Sequence, residues 1–152
     1  MKFHYINSKV VSKPWGNEIW VADGKRTPYA LKRITFLAGK RSSLHVHEFK
    51  FETNLVISGN GFFEISPNPI DISRVKNDFS LKKLLPDVLH ELISVPIGPG
   101  DIIDVQPNFV HRVTAVSDLT FVEASTSELD DVFRLVDDTG RNHGRLAIEH
   151  ND

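Results

Sequence analysis

The stretch GKRSSLHVHEFKFETNLVISG, from Gly39 to Gly59, sets two histidines one residue apart and a glutamate five positions after the second. Side chains alternate between the faces of a strand, so His45 and His47 point the same way and their ring nitrogens can converge on one ion. Glu52 is at an odd offset from His47 and would face away on an unbroken strand. A bend near Glu48 to Lys50 is therefore expected, with Glu52 opening the next strand beside the pair. Taken alone, an H-x-H pair is better explained as a half-exposed polar strand.

A second stretch changes that balance. GPGDIIDVQPNFVHRV, Gly98 to Val113, reads as a turn at Pro99-Gly100, a strand, a tight turn at Pro107-Asn108 and then His111. Asparagine accepts the left-handed conformation, so Pro-Asn can re-aim the chain and present His111 inward. A third histidine just after a stiff turn is what a metal ligand needs for fixed geometry.

Around these two stretches, short runs rich in β-branched and aromatic residues recur between Gly, Pro, Asn and Asp: NEIWVA, YALKRITFL, LHVHEF, TNLVIS, GFFEIS, LISVPI, DIIDV, VHRVTAV and LTFVEAS. This spacing predicts an all-β sandwich or barrel. In KRITFL, Lys32, Ile34 and Phe36 share one face, while Arg33, Thr35 and Leu37 share the other. Asn60-Gly61 predicts a tight hairpin. The segment from Pro67 to Ser94 differs, with Ile72, Val75 and Phe79, then Val88, Leu89 and Leu92, at helical spacings and Pro86 between them. One or two short helices are expected there, covering an end of the barrel, with a substrate lid or dimer clasp as alternatives. One more strand is expected around Phe133 to Val136, followed by a polar tail.

The chain has 152 residues, the size of one domain with a real core. Its 18 basic and 20 acidic residues nearly cancel, which argues against nucleic acid or an anionic membrane as a partner. It has no cysteine, so disulfides and thiolate chemistry are excluded and any metal must be held by nitrogen and oxygen. The amino end lacks a signal-peptide core and no long apolar run exists, so a soluble, cytoplasmic protein is expected.

The spacing G-x5-H-x-H-x4-E-x6-G, read as Gly39, His45, His47, Glu52 and Gly59, resembles the first motif of the cupins. Gly100 through Asn108 to His111 resembles the second, although Gln106 and Asn108 depart from its common residues. The resemblance covers about Lys13 to Ser125. It implies a double-stranded β-helix, a jelly-roll cupin barrel with a short helical insertion, in which His45, His47, Glu52 and His111 hold a divalent metal. The implied organisation is a single domain over 1–152, with its core at about 13–125, the insertion at about 67–94 and a tail at 128–152. Such a ligand set suits Mn, Fe, Co, Ni or Zn and leaves positions open.

KPWGNEIW, the KRI of ALKRITF, the ISG after Glu52, the HRV after His111 and ELDDVFRLVDDTGR together resemble the cupin domain of type II mannose-6-phosphate isomerases and related sugar-handling cupins. Within the site the pattern departs: that family usually has glutamine in the place of His45, and arginine and histidine where Lys50 and Thr53 stand. The resemblance implies an isomerase or epimerase acting on a sugar phosphate or nucleotide-linked sugar. Glu123, on one face of LTFVEAS with Phe121 and Ser125, is the expected base, with Lys50 beside the glutamate. Lys32, Arg33 and Arg112 are the expected cations for a phosphate. The alternatives are an iron-dependent dioxygenase and a non-catalytic sugar-binding cupin that stacks a ring on Trp15, Trp20 or Phe62. A homodimer is expected, because sheet edges need cover.

Overall fold

The structure is a computed structural model that describes residues 7–75, 78–138 and 144–145. Its strands are β1 (Lys9–Lys13), β2 (Gly16–Asp23), β3 (Ala30–Phe36), β4 (Leu44–Val46), β5 (Glu52–Ser58), β6 (Gly61–Ile65), β7 (Ile93–Ile97), β8 (Ile102–Val105), β9 (His111–Ala115), β10 (Leu119–Ser125), β11 (Phe133–Val136) and β12 (Gly144–Arg145). They form two sheets, ordered β1-β2-β3-β10-β5-β8 and β12-β11-β4-β9-β6-β7. From β3 to β10 the chain passes repeatedly from one sheet to the other, and the result is a double-stranded β-helix. All nine runs named above form strands, as does Phe133–Val136. The valines of KVVSK add β1, which pairs antiparallel with β2 from Lys9↔Trp20 to Lys13↔Gly16.

Alternation sets the two faces. In β3, Ala30, Lys32, Ile34 and Phe36 are buried while Arg33 is exposed. Between the sheets Trp15 stacks on Phe36 with ring centroids 4.0 Å apart, and Phe36 lies 5.8 Å from Phe121. Ile34, Val56, Phe63, Val113 and Leu119 complete this core.

Two local expectations change. Asn60-Gly61 does not make a hairpin, because β5 and β6 belong to different sheets and the link between them crosses the sandwich. The left-handed residue is Gly59, with φ of 81°, and a Cβ there would meet the carbonyl oxygen of Asp118 at 1.9 Å. Only glycine fits that turn. The one or two helices expected around Pro86 resolve into one: α1 (Asp78–Glu91) runs through Pro86, preceded by a 3-10 turn at Ile72–Arg74. Leu81 and Val88 of α1 pack with Val75 against Leu44, Val46, Val110 and Leu135. Leu44 and Val46 flank His45 on the opposite face of β4, so the helix backs the strand that carries the histidine. No described helix is long and apolar enough to cross a membrane.

Candidate metal centre

β4 and β9 are neighbours with His45 opposite His111, so both rings enter the space between the sheets, and His47 follows at the end of β4. Phe63 lies nearly parallel to the His111 ring, 5.9 Å between centroids. One ring nitrogen from each of His45, His47 and His111 lies within 4.8 Å of the others. The remaining nitrogen of each ring is held by a backbone carbonyl: Nδ1 of His45 by Ser43 (2.8 Å), of His47 by Asp131 (2.5 Å) and of His111 by Phe109 (3.0 Å). A carbonyl only accepts, so Nδ1 carries the proton and Nε2 keeps its lone pair. Burial, then the neighbouring imidazoles, push His45 well below the usual histidine range, and burial with the Lys50 charge lowers His47. Both are therefore neutral at pH 7, the state that binds a metal.

Nε2 of His47 is buried and has no hydrogen-bond partner. A buried lone pair left unpaired is costly, whereas a divalent ion would engage all three Nε2 atoms at once. Glu52 opens β5 beside them, its Oε2 3.5 Å from Nε2 of His47 and its Oε1 3.4 Å from Nε2 of His111. The donor set thus fits a transition metal, with three imidazoles converging and one carboxylate touching two of them.

The expected bend at Glu48 to Lys50 exists, and what holds it is Asp131. Its Oδ1 accepts from the Glu48 N–H (3.1 Å), and its Oδ2 accepts from those of Phe49 (2.6 Å) and Lys50 (2.9 Å). Burial would raise the Asp131 carboxyl, but these three donors outweigh it and hold the group below its ordinary value. Asn108 has φ of 71°, as the Pro-Asn turn requires, and its N–H donates to the His47 carbonyl at 2.7 Å. Each end of the His47 segment is therefore pinned from a distant part of the chain.

Asp131→Asn is expected to destabilise the fold by roughly 1–3 kcal/mol at pH 7, because one amide oxygen cannot replace a carboxylate that serves three backbone donors. Since the folded carboxyl titrates below its unfolded value near 3.8, its contribution is complete above that value and fades as pH falls through the lower folded one. Urea unfolding at pH 7 and pH 3 should show the gap between wild type and variant closing in acid. A gap of constant size would remove the carboxylate from the explanation.

The cavity beside the histidines measures about 90 Å³. Its other wall is the first sheet, where Lys32 of β3, Glu123 of β10 and Asn54 of β5 stand in one cross-strand row. Lys50 is buried, with Nζ 2.9 Å from Glu52 Oε2 and 2.8 Å from Glu123 Oε1. Burial alone would lower the Lys50 ammonium, but Glu123 and then Glu52 reverse that and raise it above the ordinary lysine value. Glu52 is held well below the carboxylate range, because the Lys50 charge and the two imidazoles overcome its burial. Lys32 lies 3.3 Å from Glu18, which also accepts from Trp20 Nε1 at 2.9 Å.

Of the residues expected from sequence, His45, His47, Glu52, His111, Lys50, Glu123 and Lys32 all border this cavity. Arg33 and Arg112 do not: Arg33 is exposed on the outer face of β3, and Arg112 is engaged by Glu64, its Nε 2.5 Å from Oε2. Each is adjacent in sequence to an inward-facing residue, and strand parity turns it away. Trp15 is a wall of the core and cavity. Trp20 lies against Lys9 and Lys32, with 4.7 and 4.8 Å from each Nζ to its ring, and Phe62 is exposed on the outside. Sequence reasoning missed Asp131, Glu18, Lys13 and Asn54. Glu18 had a signal, since alternation sets it on one face of NEIWVA with Trp20, a position that reads as apolar.

No family model and no curated protein matches the chain. Solved structures do. The capsular polysaccharide assembling protein CapF from Staphylococcus aureus superposes with a TM-score of 0.64 at 16% identity, over 88% of this chain and 33% of that one. The chain thus spans about a third of CapF. KdgF from Halomonas sp. gives a TM-score of 0.57 at 16% identity, covering 83% and 92% of the two chains. A Klebsiella pneumoniae protein described by its double-stranded beta-helix domain gives 0.54 at 16% identity, covering 86% and 88%. The shared property is the fold, a double-stranded β-helix.

Proposed function

We propose that the protein is a metal-dependent isomerase or epimerase of a small sugar-type substrate, working by proton transfer at a carbon beside a carbonyl. The observation that carries the reading is the buried chain Glu52–Lys50–Glu123, which runs from the three imidazoles into the cavity. His45, His47, Glu52 and His111 would hold the metal, which when bound supplies a Lewis acid for the oxygens flanking the reacting carbon. Glu123 takes the proton from that carbon and returns it, to the neighbouring carbon in an isomerisation or to the other face in an epimerisation. Lys50 stays protonated between two carboxylates; it orients Glu123 and donates to the oxygen on which negative charge develops. The likeness to CapF, whose description concerns capsular polysaccharide, agrees with a sugar setting.

The test is solvent deuterium exchange. Metal-loaded protein incubated in D2O with aldoses, ketoses, sugar acids and their phosphates is expected to place deuterium at the carbon beside the carbonyl. Glu123→Gln should slow this by about 10²- to 10⁴-fold with metal content unchanged. Exchange that persists at the wild-type rate in the variant removes Glu123 as the base, and no exchange on any substrate rejects the reaction.

A further inference from the structure

We propose that the outer face of the first sheet is the contact surface for a second copy of this chain, in a two-fold dimer. The strand parity that turns Lys32, Asn54 and Glu123 toward the cavity turns their neighbours outward. Six outward positions stand in register across the whole sheet: Val10, Ile19, Arg33, Val122, Leu55 and Ile102. Five of them are aliphatic. The β8 end of this row is open to solvent, with Ile102 68% exposed, Leu55 39% and, next to Leu55 on β5, Ile57 49%. An antiparallel sheet with one face in water normally alternates apolar-in with polar-out, and β5 and β8 break that rule. A contiguous exposed apolar patch marks a contact site.

Charge selects the occupant. Among the described strand residues of this face, only Arg33 and Asp104 are charged. Arg33 has no ion-pair partner among the described residues, and Asp104 accepts from Thr53 Oγ1 at 2.6 Å but meets no cation. Thr53 is opposite Asp104 and Leu55 opposite Ile102, so Asp104 lies three strands across and two residues along from Arg33, roughly 16 Å on ordinary strand spacings. The midpoint falls between β10 and β5, at Val122 and Leu55. A two-fold axis lying there in the plane of contact, near the strand direction as aligned sheets require, sets Arg33 of each copy over Asp104 of the other. Two identical ion pairs then flank an apolar centre built from Val122, Leu55, Ile57 and Ile102 of both copies, the arrangement of a buried core with a polar rim. A face that carries both members of the pair is complementary to itself. A lipid surface would take the aliphatic side chains but leave Asp104 without a cation. The expected homodimer is thus placed on a sheet face rather than a sheet edge, directly behind the cavity wall, because Val122 and Leu55 adjoin Glu123 and Asn54 in the chain.

Sedimentation equilibrium of the full chain tests this. The wild type is expected at twice its 17.2 kDa, with a dissociation constant in the micromolar range or below. Ile102→Glu should weaken the dimer at least about 100-fold, since it places two carboxylates in the apolar centre. Arg33→Glu and Asp104→Arg should each weaken it about ten-fold or more, because like charges then face each other twice. Mixing those two variants should restore association to near the wild-type level, since both contacts of a mixed dimer again join opposite charges. That rescue requires two copies meeting through the same face. A wild type that stays at 17.2 kDa at about 100 µM, a dimer that Ile102→Glu leaves intact, or a mixture no tighter than either variant alone overturns the proposal. The mixing experiment decides if Ile102→Glu does not fold.

Discussion

Replacing His111 with alanine is expected to remove the metal. Protein purified after growth with added Mn, Fe and Zn should carry close to one equivalent as wild type and less than about a tenth as His111→Ala, a loss of affinity well beyond the 10- to 100-fold typical of outer-shell changes. The reason is convergence. His111 is the only one of the three imidazoles contributed by β9; it faces His45 directly across the strand pair, and its Nε2 is 3.4 Å from Glu52. Without it, the two remaining rings come from one short segment and enclose nothing. Elemental analysis with circular dichroism separates this result from unfolding. A folded variant with its full metal complement would rule out the three-histidine centre.

The second large effect concerns stability. Lys50→Met should destabilise the protein by about 3–5 kcal/mol, because it leaves Glu52 and Glu123 buried at 4% and 7% exposure without the cation that bridges them. A methionine of similar length fills the volume, so the loss is electrostatic rather than a cavity. Adding Glu123→Gln to Lys50→Met should recover part of the loss, since one uncompensated carboxylate is gone. The same substitution in the wild-type background should destabilise. Denaturant unfolding of the four proteins completes the cycle, and additive effects would mean that the pair is not coupled.

Much of this was legible in the sequence because strand parity is strict. It put His45 and His47 on one face, demanded a bend before Glu52, and set Lys32 with Ile34 and Phe36 against Arg33. The same rule, applied to His111 and Arg112, would have turned Arg112 outward. The cupin resemblance implied the ligand set and supplied the double-stranded β-helix, which local patterns alone leave as one of several sandwiches or barrels. What stayed hidden depends on contacts between distant segments. Asp131 sits in an acidic run that reads as solvated tail, and nothing local says that three backbone N–H groups will find it. Asn60-Gly61 has the chemistry of a hairpin, but whether two successive strands pair or change sheets is decided by topology. Pro86 would end many helices, yet α1 is held by Leu81 and Val88 against the outer face of β4, and that packing tolerates one missing hydrogen bond.

The Nδ1 of His47 and the carbonyl of Asp131 are 84 residues apart in the chain. At ribosomal speeds of about 5–20 residues per second, roughly 4–17 s pass between the synthesis of one and of the other. During that interval the H-x-H pair emerges with neither His111 nor the carbonyl that orients His47 in place. An ion met by the nascent chain would find only a loose pair of imidazoles and could exchange. The three imidazoles come together only after β9 and the Asp131 segment have docked, so any selection among metals would fall to the finished barrel and not to whichever ion arrives first.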